Sequence, residues 1–174
     1  MPVLVDGDLA LYDSTVIIEY LEDTFPAHPL FPKEPSARAR CRLLELEADE
    51  VLLVPVRAFM HRSEPPGPDT ARRVEQERVA TNAEDTISDH YAALTVKLGD
   101  QEFLCGDFSV ADIVTFMVVH HGLRLGGPPL VDHQNLSAWY ARLAKHASFA
   151  AVMAEMAEAD KELSHPVPAY CKTL

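Results

Sequence analysis

The stretch "PVLVDGDLALYDSTVIIEYL", residues 2–21, decides how the chain is read. Val3, Leu4 and Val5 form a short apolar run. Asp6-Gly7 follows it, a strong hairpin signal, because glycine accepts the positive φ that a tight turn requires. Leu9–Tyr12 then reads as the returning strand. Asp13-Ser14 supplies a helix cap. Beyond it Val16, Ile17, Tyr20, Leu21 and Phe25 recur at helical spacing until Pro26 stops the helix. A hairpin and one helix do not bury a sheet face unaided. Residues 1–26 therefore read as part of an α/β unit, a ββα segment.

Downstream the composition changes. Residues 27–35, within "AHPLFPKEPS", are a proline-punctuated joint between two packed units. Residues 36–174 have almost no β-branched runs and read as all-helical, which makes the chain mainly α. Helices are expected at about Ser36–Met60, Thr70–Leu98, Ser109–Gly122, Asn135–Lys145 and Ser148–Leu163. Leu43, Leu46, Leu53 and Val54 supply much of the apolar side of the first of these, and Pro55 inside it should bend it. The second is capped by Asp69 and stopped by Gly99.

The stretch "FLCGDFSVADIVTF", residues 103–116, carries a second signal. Ser109 and Asp112 have the spacing of a capping box, with Asp in the place usually held by Glu or Gln. Phe108 and Ile113 stand where a hydrophobic staple would close around it. The Asp112 carboxylate also suits the positive end of the helix dipole. Its expected role is in folding and not in chemistry.

Composition bounds the rest. The 174 residues are long enough for a substantial core, and 48% of them are hydrophobic. The formal charge of −12 disfavours nucleic acid as a partner unless one basic patch stands out. The best candidate, "SARARCR" with Arg38, Arg40 and Arg42, is followed at once by "LELEADE" and reads first as a solvated helix face, with an anion site as the alternative. No run of about 18 apolar residues exists, so no membrane span is expected. Cys41, Cys105 and Cys171 are odd in number and widely spaced. They form neither a disulfide framework nor a metal pattern, and a reducing cytoplasm fits them. Cys105 lies beside Asp107 and near Asp112, which oppose a reactive thiolate. Cys41, among arginines, reads as packing on its helix. His120 and His121 are adjacent on a helix and point about 100° apart, which does not make a paired ligand site.

The two quoted stretches, in this order and separation, resemble the glutathione S-transferase family over nearly all of the chain, to about Met156. The resemblance implies the C-terminal half of a thioredoxin-like, glutathione-binding domain at 1–26, followed by the family's all-helical C-terminal domain. It implies that the family's first βαβ unit, with the residue that contacts the glutathione sulfur, has no counterpart here. On that reading the chain alone conjugates glutathione weakly or not at all, and no catalytic residue is assigned. The resemblance assigns glutathione binding to Met1, Pro2, Asp13 and Ser14. Met1 would offer its main chain to the cysteinyl part, next to a Pro2 whose family counterpart is usually cis. Asp13 and Ser14 would hold the γ-glutamyl end at a helix N-terminus. By the same analogy Phe59, His61, Met117 and His120 would line an acceptor pocket, although their character equally suits a helical core. Glutathione is the implied co-substrate, an apolar electrophile the implied acceptor, and a homodimer the implied assembly, with no metal. The alternative is a non-catalytic binding or interaction module on the same fold.

Overall fold

The computed structural model describes residues 2–168. Strands β1 (Val3–Asp6) and β2 (Leu9–Tyr12) pair antiparallel in the register Val3↔Tyr12 to Asp6↔Leu9. Gly7 turns the hairpin at φ +57°, a conformation that costs glycine nothing. Helix α1 (Ser14–Thr24) follows directly. Its far end is tied to the joint: the Glu22 carboxylate accepts hydrogen bonds from Leu30 N–H at 2.8 Å and Phe31 N–H at 3.3 Å.

Helix α2 (Pro35–Leu46) starts with proline in the first turn, where its missing N–H is no loss, and Glu34 caps it. The stretch "SARARCR" is a solvated face in part, with Arg40 and Arg42 exposed, but Arg38 and Arg42 also have partners on the preceding segment. Arg42 grips Glu19 of α1 with two bonds, at 2.7 and 2.8 Å, and Arg38 reaches Glu22 at 3.5 Å. Both guanidinium groups lie over the buried ring of Phe31, 4.8 and 5.6 Å from its centroid. The two arginines therefore fasten α1 and the joint onto α2.

The single long helix expected over Ser36–Met60 is a run of changing winding. After α2 the chain widens into a π-turn (Glu47–Leu52), returns to a short α-helix, α3 (Leu53–Val56), and tightens to a 3₁₀ segment (Arg57–Ser63). Pro55 is the local cause. It has no N–H to donate, and its ring crowds the carbonyl four residues back, so regular α-winding is not sustained around it.

Helix α4 (Thr70–Leu98) has the expected limits. Asp69 accepts from Arg72 N–H at 2.9 Å, and Gly99 ends the helix at φ +49°. Helix α5 (Val110–Arg124) is apolar on nearly every side and is accordingly the most buried element, with Val110, Ala111, Phe116, Val118 and Val119 all in the core. Helices α6 (Gln134–Leu143) and α7 (Ala147–Leu163) pack beside it. There Phe116 stacks on Tyr140 at 4.8 Å and meets Phe149 edge-on at 4.5 Å. At the end of α5 the backbone passes so close to the 3₁₀ segment that a Cβ on Gly127 would lie 2.8 Å from the Phe59 ring. Among the described residues no helix is long and apolar enough to cross a membrane.

Candidate functional site at the N-terminus of α1

The hairpin register brings the first assigned patch together. The ladder ends at Val3↔Tyr12, and Pro2 and Asp13 are the residues that flank this last pair, where α1 begins. Met1, and with it the bond to Pro2, lies outside the described residues.

Asp13 is the N-cap, and Ser14 is the first helical residue. Asp13 Oδ1 accepts from Thr15 N–H at 3.0 Å and Val16 N–H at 3.3 Å. To do so Asp13 adopts φ +82°, the one positive φ at a non-glycine position among the described residues. Such a conformation costs on the order of 1–3 kcal/mol and concentrates at ligand sites. Asp13 Oδ2 and the Ser14 hydroxyl make no hydrogen bond within the described residues, so a carboxylate oxygen and a hydroxyl remain for a ligand at the positive end of a helix of 11 residues.

The floor beneath this helix end is itself polar. Thr15 Oγ1 donates to Glu45 Oε1 at 2.6 Å, linking α1 to α2. Glu45 is buried, and burial, with the negative charge of Asp49, Asp13 and Glu19, pushes its carboxyl above the ordinary value, against the Thr15 bond. A carboxyl whose pKa is higher folded than unfolded favours the folded chain at low pH and loses that contribution as pH rises through the folded value. Glu45→Gln is therefore expected to raise the melting temperature at pH 7, since the amide oxygen still accepts from Thr15 and no buried charge remains. The gain should vanish near pH 4. Melts of both proteins across that range check the sign.

The residues assigned to an acceptor pocket fall into two clusters. Phe59 and His61 lie in the 3₁₀ segment. Phe59 is fully buried under the Arg62 guanidinium, and His61 is held by Ala58 O at 2.9 Å and Glu77 at 2.8 Å. Met117 and His120 belong to α5. Met117 is half-buried against the core, while His120 stacks on Phe116 and bonds the Tyr140 hydroxyl at 2.7 Å. Burial and the positive charge of Arg124 hold His120 and His121 below the usual histidine range.

The capping-box pair is a structural centre. Asp112, with no exposed surface, accepts Ser109 N–H at 3.0 Å and the Ser109 hydroxyl at 3.1 Å on Oδ2. Its Oδ1 accepts Leu104 N–H at 3.0 Å and the Trp139 indole N–H at 2.9 Å. The first pair of bonds is local and readable from spacing. The second pair, from a loop and from α6, has no local signal in the sequence. The same holds for the Thr15–Glu45 link and for the bonds of Arg62 to Glu77, Glu84 and Gly126 O. Among the described residues no group of three or more His, Cys, Asp or Glu side chains is placed to hold a metal ion.

Comparison with known proteins places this architecture. The family model described as "Glutathione S-transferase, C-terminal domain" matches residues 47–147, and that for the "Glutathione S-transferase, N-terminal domain" matches residues 1–29. A Stringent starvation protein A homolog of Coxiella burnetii is 35% identical over 115 residues, 66% of this chain and 49% of that protein. The chain thus spans about half the length of this relative. A glutathione S-transferase from Rhodospirillum rubrum F11 superposes with a TM-score of 0.72 at 26% identity, covering 86% of this chain and 68% of that one. A glutathione transferase homologue from Sulfitobacter, solved with bound glutathione, shares the fold with a TM-score of 0.72 at 20% identity, over 89% of this chain and 73% of that one. With the C-terminal family model spanning more than half of its residues, the chain belongs to the glutathione S-transferase family.

Proposed function

We propose that the N-terminus of α1 binds the γ-glutamyl end of glutathione, and that the protein serves glutathione conjugation, or a related glutathione-dependent reaction, on a small electrophile. The observation that carries this reading is Asp13 at φ +82°, with no hydrogen bond to its Oδ2 or to the Ser14 hydroxyl among the described residues. In this arrangement the ligand carboxylate meets the Ser14 hydroxyl at the positive end of α1, and the ligand ammonium meets Asp13 Oδ2. The glutathione bound to the Sulfitobacter homologue supports the choice of ligand. Residues 1–26 then form the glutathione-binding part, and residues 36–174 the helical part, which includes Phe59, His61, Met117 and His120. A homodimer fits the exposed apolar side chains of the hairpin and of α2, such as Val3, Val5, Leu43 and Leu46.

Titration calorimetry with glutathione tests the binding half. Ser14→Ala removes one hydrogen bond to a charged group and is expected to weaken affinity about 10-fold. Unchanged affinity would reject the assignment. A conjugation assay with a chloronitroarene tests the chemical half. The likeness to a stringent starvation protein favours a second reading, a non-catalytic interaction module. Glutathione binding without turnover of any electrophile is the result expected of that reading.

A further inference from the structure

Where α5 ends, its last turn is tied to the end of α7 through a histidine that has to stay uncharged. Arg124 uses both arms of its guanidinium group. Nη1 donates to the Asp160 carboxylate on α7, and Nη2 donates to His121 Nδ1 at 3.0 Å. A guanidinium group has donors only. His121 Nδ1 is therefore the acceptor, and the ring is neutral with its proton on Nε2. Arg124 Nε is buried without a hydrogen-bond partner among the described residues, so the other two nitrogens hold the group in place. Asp160 Oδ1 also accepts from the Ser164 hydroxyl at 2.9 Å, and the next residue, His165, donates its N–H to Ser63 O at 2.8 Å. Together these bonds join the end of α5, the end of α7 and the end of the 3₁₀ segment. They border a cavity of about 330 Å³ lined by Ser63, Arg124, Asp160, Lys161, Ser164 and His165. The other titratable groups at this corner are His120, which bonds the Tyr140 hydroxyl of α6, Lys161, which is paired with Glu158 at 2.6 Å, and His165.

We propose that His121, Arg124 and Asp160 form an acid-released clasp: in mild acid a proton taken up on His121 Nδ1 breaks the bond to Arg124 and frees the end of α7, with Ser164 and His165, from α5. The protonated ring presents an N–H to the Arg124 N–H, donor against donor. Two cations then share the one Asp160 carboxylate. If the imidazolium turns away, Arg124 loses one of its two bonds. If it takes Asp160 instead, α7 loses its hold on Arg124. Burial, Arg124 and His120 disfavour the charged ring and outweigh Asp160, which favours it, so His121 in the closed form lies below the usual histidine range. The open form takes the proton more readily than the closed one. The clasp is therefore at full strength above the ordinary histidine value of about 6.5 and weakens as pH falls below it. None of the residues assigned to glutathione takes part.

Two measurements on the full chain test the clasp. Proton–nitrogen correlation spectra of the imidazole rings at pH 8 should show His121 as the Nε2–H tautomer. An Nδ1–H tautomer, or a charged ring at that pH, would overturn the proposal. Amide hydrogen exchange at pH 8 and pH 5 should show the protection factors of residues 160–165 falling about 10-fold in acid, the effect of losing one hydrogen bond to a charged group. In His121→Asn the side-chain oxygen stands in for Nδ1, accepts from Arg124 and does not titrate. The fall should then be largely abolished, although His120 and His165 are still present. An equal fall in both proteins, or no fall in wild type, counts against the clasp. If His121→Asn does not fold, the pH midpoint of the wild-type fall has to coincide with the titration of the His121 ring, and a mismatch sinks the idea.

Discussion

Asp112→Ala is expected to destabilise the protein by about 4 kcal/mol, because it leaves buried donors from Ser109, Leu104 and Trp139 without an acceptor. That is a large share of the roughly 5–15 kcal/mol that keeps a domain folded. For a chain of this length it lowers the melting temperature by about 10 °C. Asp112→Asn should fall between wild type and alanine. Its remaining oxygen can still accept on one side, while its amide nitrogen brings hydrogens against the Ser109 donors on the other. Trp139→Phe isolates one bond of the set and should cost about 1–2 kcal/mol. Thermal melts of the three variants give the ranking. A normal melt for Asp112→Ala, accompanied by loss of glutathione binding, would move Asp112 from the scaffold to the site.

Arg62→Ala is expected to cost about 3 kcal/mol. The side chain is 2% exposed and does three jobs at once. It bonds Glu77 at 2.7 and 3.2 Å and Glu84 at 3.1 Å, it donates to Gly126 O at 2.6 Å, and it lies over Phe59 with its guanidinium carbon 4.5 Å from the ring centroid. Removing it strands the Gly126 carbonyl where α5 ends and leaves two carboxylates facing each other. Glu84→Ala touches only the most exposed partner and should change stability by less than about 1 kcal/mol. Burial pushes the Glu77 carboxyl up, but Arg62 and His61 outweigh it and hold Glu77 below the ordinary value. A carboxylate with a depressed folded pKa contributes stability above its unfolded value and loses it as pH falls. The gap between Arg62→Ala and wild type should therefore narrow in acid, which urea melts at pH 7 and pH 3 measure.

Legibility in the sequence followed the range of the interactions. The hairpin, the α1 cap and the limits of α4 rest on signals within a few residues: Asp6-Gly7, Asp13, Asp69 and Gly99. Each stands where its local chemistry puts it. The Ser109–Asp112 box was readable for the same reason. What spacing alone did not reveal were partners brought in from afar. The solvated face of α2 was readable, but not the Glu19, Glu22 and Phe31 that the preceding segment folds onto Arg38 and Arg42. At the proposed glutathione site, the residue types at 13 and 14 were visible in the sequence. The φ of Asp13 and the Thr15–Glu45 support beneath it belong to the folded chain.

The changing winding between Leu46 and Ser63 alters how this segment is to be lined up with relatives. Leu44, Ala48, Leu52 and Val56 all face the core at intervals of four residues. At about 100° per residue, twelve residues of regular α-helix overshoot three full turns by about 120°, enough to carry Val56 off the buried side. The wider π-turn takes up that excess and keeps the four side chains in one row. A pairwise alignment that assumes uniform α-geometry here would gain or lose about one position after Leu52. Phe59, His61 and Arg62 would then be matched to side chains that point elsewhere in a relative lacking the π-turn. Correspondence across this segment is therefore better drawn from superposed backbones than from letters.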